Sequence, residues 1–274
     1  MKYWGIPVLI LAGVLAAAPS TPGETDFVQQ LVRRSVKAMD HNWEQAPEWV
    51  FRERDVASDG KNKTLKSQRV WMIEGSPYYE LTGINGEPLS EKKRADEYRK
   101  LLHEIQKRHN EAPEVRQKRI AQYVKERQQD HALMREMADA FVFKMIGEEK
   151  LNGHDVYVLD ASPRPDYAPK SLETRVLTGM RGRLWVDKQH AQWVKVEAEV
   201  FRPVTFGLFI AKVQPGTRFM LEQEPVTSDT WLPSHFRMTL NSTILWWQKN
   251  SLDDETYSDY QPKDSLTARI NFAH

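Results

Sequence analysis

The chain has 274 residues, 40% of them apolar and 28% charged, with 13 Gly, 15 Pro and no Cys. Lys and Arg total 39 against 38 Asp and Glu, a formal charge of +1. The apolar fraction is enough for a core, which argues against disorder, and the charge balance argues against a general nucleic-acid binder. Without cysteine there is no disulfide, zinc–thiolate site, iron–sulfur cluster, cysteine nucleophile or lipid-modified N-terminal Cys.

Residues 1–23 read as a secretory signal peptide. Lys2 supplies the positive start, and residues 6–18 are apolar apart from Pro7 and Gly13. Small residues follow, with cleavage expected after Ser20 or Gly23. The run is shorter than the roughly 20 residues a spanning helix needs, so it reads as a cleaved signal. No later segment could span a bilayer, and a periplasmic location follows. Removing Lys2 leaves 38 basic against 38 acidic residues. No linker or internal repeat divides residues 24–274, so a single domain is expected, stabilised by its core alone.

The elements come in three blocks. At 26–39, Val28, Leu31, Val32, Ser35, Val36 and Met39 recur at helical steps, with Asp26 as the expected N-cap. Strands are expected at 48–57, 64–74 and 78–83, separated by Asp59-Gly60 and Ser76-Pro77 and ended by Asn85-Gly86. From 90 to 140 the composition turns to Glu, Lys, Arg and Gln. Helical periodicity through Ala95, Tyr98, Leu101, Leu102 and Ile105 breaks at Pro113, then resumes through Ile120, Tyr123, Leu133 and Met137. This reads as two amphipathic helices inserted between strands.

Strands return at 141–149 and 154–161 around Asn152-Gly153, and at 182–187 and 192–201 around Lys188-Gln189-His190. Val194, Val196, Ala198 and Val200 alternate with charged residues, a period of two. Phe219 and Leu221 share a face at 217–223, as do Phe236, Met238 and Leu240 at 234–240. Final strands are expected at 243–249 and 255–260. The fold class is therefore α+β: a strongly curved antiparallel sheet, or unclosed β-barrel, of about 10–11 strands. The N-terminal helix and the inserted helical pair are the elements available to cover its concave face.

Chemical motifs are sparse. There is no G-x-S-x-G, H-E-x-x-H, Walker loop or G-x-G-x-x-G, so no catalytic residue, metal or cofactor is assigned. His103 and His109 sit six apart on a helix, and His41, His131, His154, His190 and His235 are scattered. Asp253-Asp254-Glu255 reads as a solvated loop entering a strand. The insert's acids nearly match its bases, which favours a solvated face laced with i,i+4 pairs. Aromatic residues carry more information: nine Trp, several in expected strands, and an uncharged run at 204–211. That run reads as a buried strand or as an apolar wall touching an acyl chain or a membrane.

Several segments resemble a known group of exported proteins. Tyr79 through Ser90 (Y-E-L-T-G-I-N-G-E-P-L-S), Met180 through Asp187 (M-R-G-R-L-W-V-D), Val213 through Phe219 (V-Q-P-G-T-R-F) and Thr256 through Tyr260 (T-Y-S-D-Y) are similar to those of the LolA-like periplasmic lipoprotein-carrier superfamily, in its outer membrane lipoprotein-sorting group. The resemblance implies an open β-barrel with helices over its mouth and an apolar cavity for acyl chains. The 90–140 insert is longer and more charged than a small carrier's lid, and no ligand-gating residue is carried over.

The leading expectation is thus a non-enzymatic periplasmic carrier for lipid or lipoprotein acyl chains. Val194, Val196, Phe219, Leu221, Phe236 and Met238 are the expected cavity wall. The alternative is an envelope scaffold whose insert binds an envelope protein. An enzyme acting on envelope lipids or glycans would need titratable groups converging in the cavity.

Overall fold

The computed structural model describes residues 22–206, 211–245 and 247–264. The expected signal, residues 207–210 of the uncharged run, and Trp246 lie wholly or mostly outside them. In chain order the elements are α1 (Pro22–Gln45), β1 (Trp49–Ser58), β2 (Lys63–Ile73), β3 (Ser76–Ile84), β4 (Glu87–Pro88), α2 (Glu91–His109) and α3 (Pro113–Ala140). Then come β5 (Phe141–Leu151), β6 (His154–Pro163), β7 (Met180–Asp187), β8 (Trp193–Val200), β9 (Val204–Phe206) and β10 (Ala211–Val213). Last are β11 (Arg218–Pro225), β12 (Trp231–Ile244) and β13 (Trp247–Pro262).

The strands form a single 13-stranded antiparallel sheet, ordered β4-β3-β2-β1-β13-β12-β11-β8-β7-β6-β5, with β10 between β9 and β12. The two ends of that order, β4 and β5, are consecutive in sequence and do not pair, so the sheet is not closed. The connection between them is the α2–α3 pair. The charged insert is therefore the segment that joins the two free edges.

Antiparallel partners that stand directly opposite share a face. One row crosses eight strands: Met145, Leu159, Leu184, Val196, Leu221, Phe236, Glu255 and Asp55. Val28, Leu31 and Val32 of α1 bury against Leu159, Leu184, Val186, Trp193, Val196 and Leu221, with Met134 and Met137 of α3 beside them. This is the α1 face. The parallel row on the opposite face is Asp160, Arg183, Glu197, Met220, Arg237 and Asp254.

The helices depart from the expectation that both inserted helices cover one face. Leu101, with Tyr98 and Ile105 of α2, packs on Val50, Trp71 and Ile73, whereas α3 packs on the α1 face. Trp71 stands opposite Tyr78, and Val70 stands opposite Phe51 and Tyr79, which places α2 on the face away from α1. The pair straddles the β2–β3 turn and is fastened to it by arginines. Arg108 donates to the carbonyls of Ile73 at 3.0 Å, Ser76 at 2.8 Å and Pro77 at 3.1 Å, and Arg119 donates to the carbonyl of Glu74 at 3.0 Å.

Other boundaries shift for local reasons. α1 begins at Pro22, so Asp26 lies inside the helix and is not its N-cap. It continues past Met39 because Asn42 is bound in the interior: its amide donates to Gln192 at 2.7 Å and accepts from the backbone N–H of Trp231 at 2.9 Å. The β2–β3 reversal is made by Glu74 and Gly75, both at positive φ, and Ser76 and Pro77 belong to β3. The Asn85-Gly86 and Asn152-Gly153 reversals stand as expected, with φ of 56° and 87°, then 50° and 87°. The strand expected at 243–249 is the end of a hairpin, in which Ile244 of β12 stands opposite Trp247 of β13. Asp253, Asp254 and Glu255 are not loop residues: they lie within β13, between β1 and β12.

Candidate functional site

Five of the six expected wall residues lie on the α1 face. Val196 and Leu221 are buried beneath α1, and Phe219, Phe236 and Met238 are half-buried farther along the sheet. The rings of Phe219 and Phe236 meet edge-on at 5.5 Å between centroids. Val194 is separated from them. The β7–β8 register places Lys195 opposite Trp185 but Trp193 opposite Val186, so Val194 is the extra residue of a bulge. It packs on the other face with Val156, Val158, Trp185 and Trp231.

The apolar strip ends abruptly where β12 meets β13. Phe236 stands opposite Glu255 and Glu255 opposite Asp55, while Met238 stands opposite Asp253. Glu53 stands opposite Tyr257 on the same pair of strands. Burial raises the Glu53 carboxyl to about 7, helped by the neighbouring charges of Glu255 and Asp55. Burial likewise pushes Glu255 and Asp55 upward. Among the described residues none of these three forms an ion pair; Glu255 instead accepts a hydrogen bond from the Tyr257 hydroxyl.

Tyrosines frame the patch. The Phe51 ring lies 5.8 Å from Tyr257 and 5.4 Å from Tyr260, and the Tyr260 hydroxyl donates to the carbonyl of Pro233 at 2.6 Å. Burial raises the phenols of Tyr257, Tyr260, Tyr79 and Tyr123, and Glu53 adds to the effect on Tyr79. The α1 face thus carries an apolar strip leading into phenol hydroxyls and into carboxyls whose negative charge burial disfavours. Such a surface matches an amphiphile with an apolar body and an uncharged or cationic polar end.

Sequence reasoning missed this patch. A signal was present, since Phe51, Glu53 and Asp55 alternate in step, as do Asp253, Glu255 and Tyr257. What the spacing could not reveal is that β1 and β13 are neighbours.

A second feature lies on the opposite face: a groove of about 960 Å³ whose lining includes Asp160, Arg183, Lys195, Glu197, Arg218 and Arg237. Of the expected wall residues only Phe219 borders it. Its charges are largely satisfied across strands: Arg181 bonds Glu199 at 2.7 Å, Lys195 meets Glu222 at 3.4 Å, and Arg237 meets Asp254 at 3.7 Å. A third feature is a groove of about 480 Å³ on α3, bordered by Pro113, Ile120, Ala121 and Val124. His154 and His190, read as scattered, both approach the buried Asp187 carboxylate, at 3.6 Å and 3.1 Å. Among the described residues no group of three His, Asp or Glu side chains is placed to hold a metal ion. No described helix is long and apolar enough to cross a membrane.

No family model and no curated protein sequence matches the chain. Solved structures do. The chain is similar to a Vibrio parahaemolyticus domain assigned to the outer membrane lipoprotein-sorting proteins, at 12% identity and a TM-score of 0.31, over 84% of this chain and 92% of that one. It is similar to a DUF1329 family protein from Desulfovibrio piger, at 12% identity and a TM-score of 0.35, over 87% and 93%. It is also similar to a LolA superfamily protein from Nitrosomonas europaea, at 10% identity and a TM-score of 0.29, over 85% and 92%.

Proposed function

We propose that the protein is a non-enzymatic periplasmic carrier that holds the acyl chain of a lipid or lipoprotein against the α1 face. In this reading residues 1–23 are removed on export and residues 24–274 work as a single domain. The observation that carries it is the half-buried state of Phe219, Phe236 and Met238 beside the residues Val196 and Leu221 that α1 buries. Covering each methylene of an acyl chain there contributes about 0.8 kcal/mol, the driving force of the proposed binding. Val196 and Leu221 then act as the packed floor under the strip, and Val194 takes no part. The Glu53 carboxyl, raised to about 7, and the tyrosine hydroxyls meet the polar end of the ligand.

The test is a fluorescent fatty-acid binding titration, with mass spectrometry of lipid co-purified from the native envelope. Phe236→Glu is expected to weaken the probe about tenfold or more, because a charge replaces apolar surface, while Val194→Thr leaves affinity unchanged. No co-purified lipid together with no probe binding would overturn the carrier reading.

The scaffold reading has an observation of its own. Val115 is 56% exposed and Val124 36% on α3, beside the apolar groove at Pro113 and Ile120. Under it, Val115→Glu with Val124→Glu, at exposed positions of α3, abolishes capture of an envelope protein partner and leaves probe binding unchanged.

A further inference from the structure

Residues 200–221 and 230–252 contain no Asp or Glu, in a chain that has 38. The sheet brings parts of these two stretches side by side. Ala211 of β10 stands opposite Phe206 of β9 on one side and Ile244 of β12 on the other, and Ile244 stands opposite Trp247 of β13. These four residues therefore make one apolar row across four adjoining strand ends. Ile244 is 45% exposed, Leu245 55% and Trp247 69%, the last being the most exposed large apolar side chain among the described residues. Leu245 holds a positive φ of 57° at the reversal, a backbone form unusual for leucine, and its side chain remains in water.

Cations flank this row on both sides of the ribbon. Lys249 stands opposite Ser242, two residues inward from Ile244 and Trp247 on the same face, and Lys212 stands opposite Thr243 on the other face. Both lysines are exposed, and among the described residues neither forms an ion pair. An exposed Trp with aliphatic neighbours, flanked by two lysines on stretches that contain no Asp or Glu, has the chemistry of a membrane-interface anchor. The indole seats at the headgroup level, the aliphatic side chains enter the acyl boundary, and the lysines meet negative headgroups.

We infer that the adjoining β9–β10 and β12–β13 strand ends are a docking surface for a bilayer carrying anionic headgroups. The inference does not depend on the acyl-chain reading, since it rests on the far ends of β12 and β13, beyond Met238 and Leu240 on the same face.

Co-sedimentation of the purified chain with vesicles tests it. The chain is expected to sediment with vesicles of phosphatidylethanolamine and phosphatidylglycerol and to stay in solution with phosphatidylcholine alone. Leu245→Ser with Trp247→Ser is expected to weaken partitioning about tenfold or more, and Lys212→Glu with Lys249→Glu to weaken it severalfold. Should the serine pair fail to fold, the lysine pair, whose side chains touch no core, carries the test. Failure of the wild-type chain to sediment, equal binding to phosphatidylcholine, or wild-type binding by both pairs overturns the inference. So does a self-association in sedimentation velocity that is lost on Trp247→Ser without any vesicle binding, which assigns the surface to a second copy. Unchanged binding of the fluorescent fatty acid by the serine pair shows that the strip on the α1 face is intact.

Discussion

The indole N–H of Trp193 donates to the hydroxyl of Ser35 at 2.9 Å, and both side chains are buried. This bond joins α1 to β8 at the centre of the core. Ser35 also donates to the carbonyl of Val32 at 2.9 Å, so its hydroxyl both donates and accepts. Ser35→Ala removes the acceptor and leaves the indole N–H unsatisfied, which we predict costs about 1–3 kcal/mol of stability. Urea unfolding of Ser35→Ala, Trp193→Phe and the double variant gives the coupling directly. Additive losses in that cycle would show that the bond fixes nothing.

Glu53 makes stability depend on pH in an unusual direction. Its carboxyl is raised to about 7 in the folded protein from an ordinary value of 4.5, so between those values the folded state binds more protons than the unfolded one. Stability from this group is therefore lost as pH rises from about 4.5 through 7, and the cost is fully present above 7. Glu53→Gln removes the penalty. After allowance for solvent screening at this half-buried site, the variant is expected to gain about 1–2 kcal/mol at pH 8. The gain should vanish near pH 4, and urea midpoints at the two pH values check it. A gain that is equal at both would point to packing and not to charge.

How far this fold could be read from sequence depends on how local the determining feature is. Asn85-Gly86 and Asn152-Gly153 declare their hairpins because the turn needs positive φ at those residues. The alternation from Val196 to Val200 declares a half-buried strand, and Pro113 marks the α3 start. The same alternation misplaces Val194, because one bulge residue reverses the face of everything before it and leaves no local trace. The pairing of β1 with β13 joins residues about two hundred positions apart, so nothing local puts Glu53 beside Tyr257. The opposite faces of α2 and α3 follow from how Arg108 and Arg119 grip one turn, and periodicity is silent on that.

Arg108 fastens α2 to the sheet from a buried position. Besides three backbone carbonyls it donates to the hydroxyl of Ser76 at 3.1 Å and to Glu104 at 2.8 Å. Arg108→Ala removes the donor to several carbonyls and leaves Glu104 with Lys107 alone; burial pulls the Glu104 carboxyl upward, and the hydrogen bonds from Arg108 and Lys107 together hold it below its ordinary value. We predict a loss of about 3 kcal/mol, with faster hydrogen exchange in α2 and at the β2–β3 turn. Arg108→Lys should not restore protection, since an ammonium cannot reach the same acceptors at once. Full rescue by lysine would mean that charge alone holds the helix.

Gly182 tests how closely β7 and β8 approach. A methyl group placed there would lie 2.2 Å from the backbone oxygen of Glu197 and 3.0 Å from the Ala198 Cα, both rigid atoms of the neighbouring strand. Gly182 stands between Ala161 and Ala198 in the row that continues to Phe219 and Met238 on the α1 face. Gly182→Ala must separate the strands, and overpacking of this kind costs about 1–3 kcal/mol. Gly147, in β5, is the control: nothing lies within 4 Å of its added methyl, so Gly147→Ala should stay within about 0.5 kcal/mol of the parent. Because β8 carries Val196, the separation at Gly182 should also disturb the floor of the apolar strip. Thermal unfolding together with fluorescent fatty-acid binding therefore reads both effects, and equal behaviour of the two glycine variants would show that the strands have room to spare.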